Sequence, residues 1–157
     1  MRHVTTRGLD RIILHEGIRL SAYRDVAGFL TIGVGHLLTR SELSSGKVSV
    51  LGQAVRWGDG ITEQQAQALL RQDLAKAERV VDDQAPGLKE AQFDALVSLV
   101  FNIGIGAFLS STLLKRIKTR DLADVPAQIK RWNRAGGVVV AGLKNRREAE
   151  ASLWASA

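Results

Sequence analysis

Residues 15–38 read HEGIRLSAYRDVAGFLTIGVGHLL, and the hydrophobic period changes within this stretch. Just upstream, Leu9, Ile12 and Ile13 recur at i, i+3 and i+4, the stripe of a helix over residues 7–16. Gly17 supplies its stop. Downstream the period falls to two. Ile18, Leu20 and Ala22 alternate with Arg19, Ser21 and Tyr23, and Leu30, Ile32 and Val34 alternate with Thr31, Gly33 and Gly35. The turn sequence Asp25-Val26-Ala27-Gly28 lies between the two runs, so a β-hairpin is expected here.

The pattern differs further along. Residues 39–60 are rich in Ser and Gly and weakly periodic, which predicts a loop with short structured pieces. Thr62 followed by Gln65 is a capping-box spacing, opening a helix expected to reach about Val81. Residues 82–87 break it at Pro86-Gly87. Phe93, Leu96, Val97, Val100 and Phe101 then mark the most apolar helix, over 88–103. Shorter helices are expected at 110–118, 122–134 and 144–155, with turns at Gly136-Gly137 and Gly142. The expected architecture is α+β, mainly α. A small sheet-bearing N-terminal lobe (1–61) and a helical C-terminal lobe (82–157) are joined by a helix over 62–81.

Composition limits the function classes. A chain of 157 residues with 45% hydrophobic and 24% charged residues suits one globular domain rather than a disordered segment. It has no cysteine, and His3, His15 and His36 lack metal-ligand spacing, so neither metal nor other cofactor is expected. The N-terminal residues contain no apolar run of signal-peptide or membrane-span length, so synthesis in the cytoplasm without a signal is expected. The net charge of +6 includes Lys130, Arg131, Arg134, Lys144, Arg146 and Arg147, with no acid between Val125 and Arg147. This cluster suits any polyanion, or simply a solvated helix face. Interleaved exposed aromatics and a nucleic-acid motif are both missing, so a nucleic-acid partner is not expected.

Glu16 falls at i+7 of the first apolar stripe. A carboxyl on the apolar side of a helix C-terminus is disfavoured from ionising, and one that keeps its proton can act as a general acid. The competing reading is a helix-end glutamate paired with a base such as Arg19. Asp25, nine residues on, caps its own turn or forms the second carboxylate of a glycosidase pair. Thr31 shares a strand face with Gly33 and Gly35, and this nearly bare face either admits a flat sugar ring or marks tight packing.

Taken together these segments resemble the phage-type lysozymes, glycoside hydrolase family 24. The resemblance rests on His15-Glu16-Gly17, Tyr23-Arg24-Asp25 and residues 30–38, and it continues through residues 92–98, Phe101-Asn102-Ile103-Gly104, residues 111–114 and Arg131-Trp132. Ala135-Gly136-Gly137 and Gly142-Leu143 with Arg146, Arg147 and Glu150 extend it over nearly the whole chain. The spacing of Glu16, Asp25 and Thr31 is similar to the family's catalytic spacing. The resemblance implies a two-lobed lysozyme fold with a cleft between the lobes, and hydrolysis of peptidoglycan. In that reading Glu16 is the general acid, Asp25 activates water and Thr31 helps to hold it. Leu37, Phe101, Asn102 and Ser111 match saccharide-contacting positions, and His36 is expected to pair structurally with Asp73. Some relatives carry an N-terminal membrane tether. A monomer that reaches the wall through a separate membrane pore is implied for this chain.

Overall fold

The computed structural model describes residues 1–157 and divides into two compact units, Ile13–Ala75 and Met1–Ile12 with Lys76–Ala157. Helix α1 (Thr6–Glu16) buries Leu9 and Ile12, two members of the predicted stripe. The predicted hairpin forms as strands β1 (Arg19–Arg24) and β2 (Leu30–Gly33), joined by a short β3 (His36–Leu37) into one antiparallel sheet of order β1-β2-β3. Tyr23 pairs with Thr31, and Thr31 pairs with Leu37 on its other side.

The stretch 39–60 is more ordered than expected. Helix α2 (Arg40–Ser45) opens on a reciprocal cap between Thr39 and Glu42. Strands β4 (Lys47–Val50) and β5 (Gln53–Arg56) form a second hairpin, with Val48 and Val50 pointing inward. Its turn is hard to read in sequence because Leu51 adopts a left-handed φ of 52°. The sheet unit is consolidated by Ile32, Leu38, Val48, Val50, Ile61, Ala66 and Leu69.

Helix α3 (Glu63–Gln84) begins at the predicted cap. The Thr62 amide donates to Gln65 Oε1 at 2.9 Å, and the Gln65 amide to Thr62 Oγ1 at 3.1 Å. It runs three residues past the expected end, because only Pro86 lacks an N–H to continue the ladder. Helix α4 (Glu90–Ile103) buries every residue from Phe93 to Val100 and is the spine of the helical unit. It is followed by α5 (Ile105–Leu109), α6 (Thr112–Lys118) and α7 (Val125–Lys130).

Helix α7 stops four residues short of the predicted 134. The chain turns there into a hairpin of β6 (Arg134–Ala135) and β7 (Val138–Val139), before α8 (Ala141–Ala155). Gly136-Gly137 is its turn, as expected, whereas Gly142 lies in the first turn of α8 and not between elements. The first twelve residues also belong elsewhere than a boundary at 61 implies. The Val4 amide donates to Glu78 Oε2 at 2.6 Å and the Thr5 amide to Asp94 Oδ1 at 3.0 Å, tying this segment to the helical unit.

Candidate active site

Glu16 is the last residue of α1 and half-exposed; burial along the stripe fades from Ile12 outward. Its carboxyl rests over the backbone of Gly35. A Cβ placed on Gly35 would stand 2.9 Å from Glu16 Oε2, and Gly35 holds a φ of +65°. Any side chain there is strained by the backbone and pushes against the carboxyl. Gly33 has a different use, since a Cβ on it would lie 3.6 Å from Ile61 Cδ1 and 3.7 Å from the Ala66 Cβ. Of the two readings of this bare face, tight packing is the one observed, with Glu16 at one glycine and the core at the other.

Asp25 caps its own turn. Its Oδ1 accepts from the amides of Ala27 at 3.0 Å and Phe29 at 2.8 Å, while Oδ2 makes no hydrogen bond within the chain. Thr31 is buried beside it, and its hydroxyl donates to the Phe29 carbonyl at 3.0 Å. One residue, Phe29, therefore binds the Asp25 carboxylate through its N–H and the Thr31 hydroxyl through its C=O. With its proton committed, the Thr31 oxygen keeps lone pairs to accept from a further donor. Leu37, opposite Thr31 on β3, is exposed.

His36 stands at the start of β3 between two acids. Nδ1 lies 2.8 Å from Asp73 Oδ2 and Nε2 lies 2.9 Å from Glu42 Oε1. Burial alone pushes the imidazolium down. The hydrogen bond and charge of Asp73, followed by those of Glu42, outweigh it and raise His36 to about 9. Burial likewise opposes ionisation of Glu42, but the Thr39 amide and His36 hold its carboxyl below the usual range. The expected Asp73 partner is present. Glu42 was the missed one, although Thr39 and Glu42 stand at capping-box spacing in the sequence.

In the helical unit, Phe101 is half-buried and Asn102 exposed near the end of α4. Ser111 is the N-cap of α6. Its hydroxyl donates to the Phe108 carbonyl at 2.6 Å and accepts from the Leu114 amide at 3.1 Å, which engages it in folding.

The family description Phage lysozyme matches residues 14–150 of this sequence. The chain belongs to the phage lysozyme family. It is 37% identical over 160 residues to an endolysin of Acyrthosiphon pisum secondary endosymbiont phage 1, covering 99% of both chains. It is 36% identical over 138 residues to the endolysin of Salmonella phage P22, covering 87% of each. Among solved structures, a P22 lysozyme mutant superposes with a TM-score of 0.82 at 34% identity, covering 99% of both chains. The muramidase domain of SpmX from Asticaccaulis excentricus gives 0.78 at 31%, covering 98% of both chains. The enzyme is a glycoside hydrolase of lysozyme type, with the lysozyme fold.

Two features of the enzyme correct the sequence reading further. Arg146 and Arg147 do not belong to a surface cluster, because they are 4% and 1% exposed. They flank the equally buried Glu150, whose Oε1 lies 2.6 Å from Arg147 Nε and whose Oε2 accepts from Ser98 Oγ at 2.6 Å. The exposed cations of the region are Lys130, Arg131, Arg134 and Lys144. The second feature is a depression of about 340 Å³ beside Ser111, lined also by Gln128, Arg131 and Trp132. Gln128 carried no signal in the sequence, because a lone polar residue on a short helix has no diagnostic spacing.

Proposed function

We propose that this enzyme is an endolysin muramidase that cleaves the β-1,4 bond between N-acetylmuramic acid and N-acetylglucosamine with inversion. Glu16 protonates the departing glycosidic oxygen. Asp25 takes a proton from a water that Thr31 helps to hold, and that water attacks the anomeric carbon from the opposite face. The observation that carries this reading is the Phe29 backbone, whose N–H donates to Asp25 and whose C=O accepts from Thr31. It fixes Asp25 and Thr31 relative to each other while leaving Asp25 Oδ2 and a Thr31 lone pair as two acceptors for one water. A water donating to both keeps its own lone pair for the sugar. Leu37, Phe101 and Asn102 would contact the glycan, and Ser111 would do so only beside its capping role.

Two measurements test the reading. Glu16→Gln keeps shape but removes the transferable proton, so wall clearing should fall by about 10²–10⁴-fold or more with the thermal midpoint preserved. Substantial clearing by the purified variant rejects Glu16 as the acid. Proton NMR of the first-formed product should show the α-anomer before mutarotation. Early β-anomer would reject inversion while leaving the muramidase reading in place. A protein that binds glycan without cutting it would yield neither result.

The site of action is the cell wall, and the chain has no helix long and apolar enough to cross a membrane. Passage from the cytoplasm through a separate pore is part of this proposal. Expression with and without a pore-forming partner tests it, lysis being expected only with one. A monomer without a nucleic-acid partner completes the proposal.

A further inference from the structure

The β6–β7 hairpin leaves three consecutive valines in solvent. Val138 is 66% exposed, Val139 45% and Val140 39%. Successive side chains of a strand point to opposite faces, so a hairpin lying on the protein body hides every second one. Here neither face is hidden, and the two strands hydrogen-bond only with each other. The turn is well formed for such a projection. Gly136 and Gly137 take φ values of +58° and +78°, the left-handed pair that suits the twist of a two-residue hairpin turn.

The charge on the chain segments flanking these valines has a single sign. Lys130, Arg131, Arg134 and Lys144 are exposed on the segments leading into and out of the hairpin, and no carboxylate occurs between residues 125 and 147. The Arg134 guanidinium donates back to the Gly137 carbonyl at 3.3 Å, which holds it alongside the turn. An uncovered apolar tip flanked along the chain by exposed cations matches the interface of an anionic bilayer, apolar below the headgroups and negative at them.

We propose that residues 134–140 form a peripheral docking tip for an anionic phospholipid surface. Val138, Val139 and Val140 enter the headgroup layer, and Lys130, Arg131, Arg134 and Lys144 meet the lipid phosphates. A polyanionic wall polymer would account for the cations alone; the uncovered valines favour lipid. The proposal is independent of the catalytic assignment, since none of these residues takes part in it.

The test is co-sedimentation of the full chain with vesicles of phosphatidylglycerol and phosphatidylethanolamine, and with vesicles of phosphatidylcholine alone. Binding is expected only to the first. The triple variant Val138→Ser, Val139→Ser, Val140→Ser should bind about tenfold more weakly. Each of Lys130→Gln, Arg134→Gln and Lys144→Gln should lose about fivefold. All variants should keep the thermal midpoint and the activity on a short soluble glycan. If the triple variant loses its fold, the single Val138→Asp at the most exposed position should still abolish vesicle binding. Undiminished vesicle binding by a folded valine variant, or failure of the parent to bind anionic vesicles, overturns the proposal. So does a loss confined to purified walls, which would make the hairpin a wall-binding surface instead.

Discussion

Gly35 shows how one missing side chain can seat the carboxyl of the proposed general acid. The carboxyl of Glu16 occupies the space where the Gly35 Cβ would be, 2.9 Å from Oε2. Gly35→Ala should therefore have two separable effects. The left-handed backbone makes alanine costlier by about 1 kcal/mol, and the methyl displaces the carboxyl. Stability should drop modestly and kcat by at least tenfold, since a misplacement of about 1 Å can cost on the order of a hundredfold. Melting curves and steady-state kinetics on a soluble glycan separate the two; full activity in the variant would mean that the seat does not position the acid. Glu150 presents the opposite case, a carboxyl whose ionisation burial opposes and which Arg147, Ser98 and Arg146 hold in the core. Glu150→Ala would leave Arg146 and Arg147 with their carboxylate removed inside the core. Losing one partner of a buried ion pair costs about 3–5 kcal/mol, measurable by urea denaturation. A cost below about 1 kcal/mol would show that the arginines find other compensation.

Among the elements, the His36 bridge couples β3 to both α2 and α3 and makes the sheet unit pH-sensitive. His36 is raised in the folded protein from an ordinary value near 6.5 to about 9. Its contribution is complete below pH 6.5 and is lost as pH rises through 9. Glu42 is lowered, so its contribution is present above its ordinary value of 4.5 and is lost as pH falls below that. The stabilising window of the pair is therefore about pH 4.5 to 6.5. Thermal midpoints should decline from pH 6.5 to 9.5 in the parent and decline less in His36→Gln, which cannot titrate. Parallel curves for the two proteins would remove the bridge as the cause. The two halves of this device were unequally legible. His36 and Asp73 followed from the resemblance, whereas Glu42 sits in a stretch whose Ser and Gly content hid α2 and the β4–β5 hairpin. Long segments with a clear period, α1, α3 and α4, could be read because their burial is one-sided or complete. The ends of α7 and the β6–β7 hairpin could not, since exposed valines in a two-residue strand have no buried face to impose alternation.

For the molecule as a whole, the +6 charge acts on encounter with the wall more than on chemistry. Clearing of intact walls should slow as salt rises from about 0.05 to 0.5 M, while hydrolysis of a short uncharged chitooligosaccharide should stay nearly level, because screening weakens long-range attraction. Equal salt dependence on both substrates would place the effect in the active site. The proposed catalytic trio, Glu16, Asp25 and Thr31, is close along the chain and lies within one unit, so a local spacing was enough to suggest it. What the sequence did not disclose is the pairing of residues far apart in it. Val4 with Glu78 and Thr5 with Asp94 have no periodic signal, and they assign the first twelve residues to the helical unit.

That assignment bears on how the chain is made. The helical unit is discontinuous: one segment of it precedes the whole sheet unit along the chain and its remaining elements follow. Closing a loop of 74 residues, from Val4 to Glu78, costs about 4 kcal/mol of chain entropy, and the contact of Thr5 with Asp94 that adds to its return needs α4. Residues 13–75 carry their own core, and if they consolidate first the effective loop is shorter and that cost lower. The proposed catalytic residues would then be in place while the helical unit still waited for α4 to α8, so completion of the helical unit would set the time of maturation.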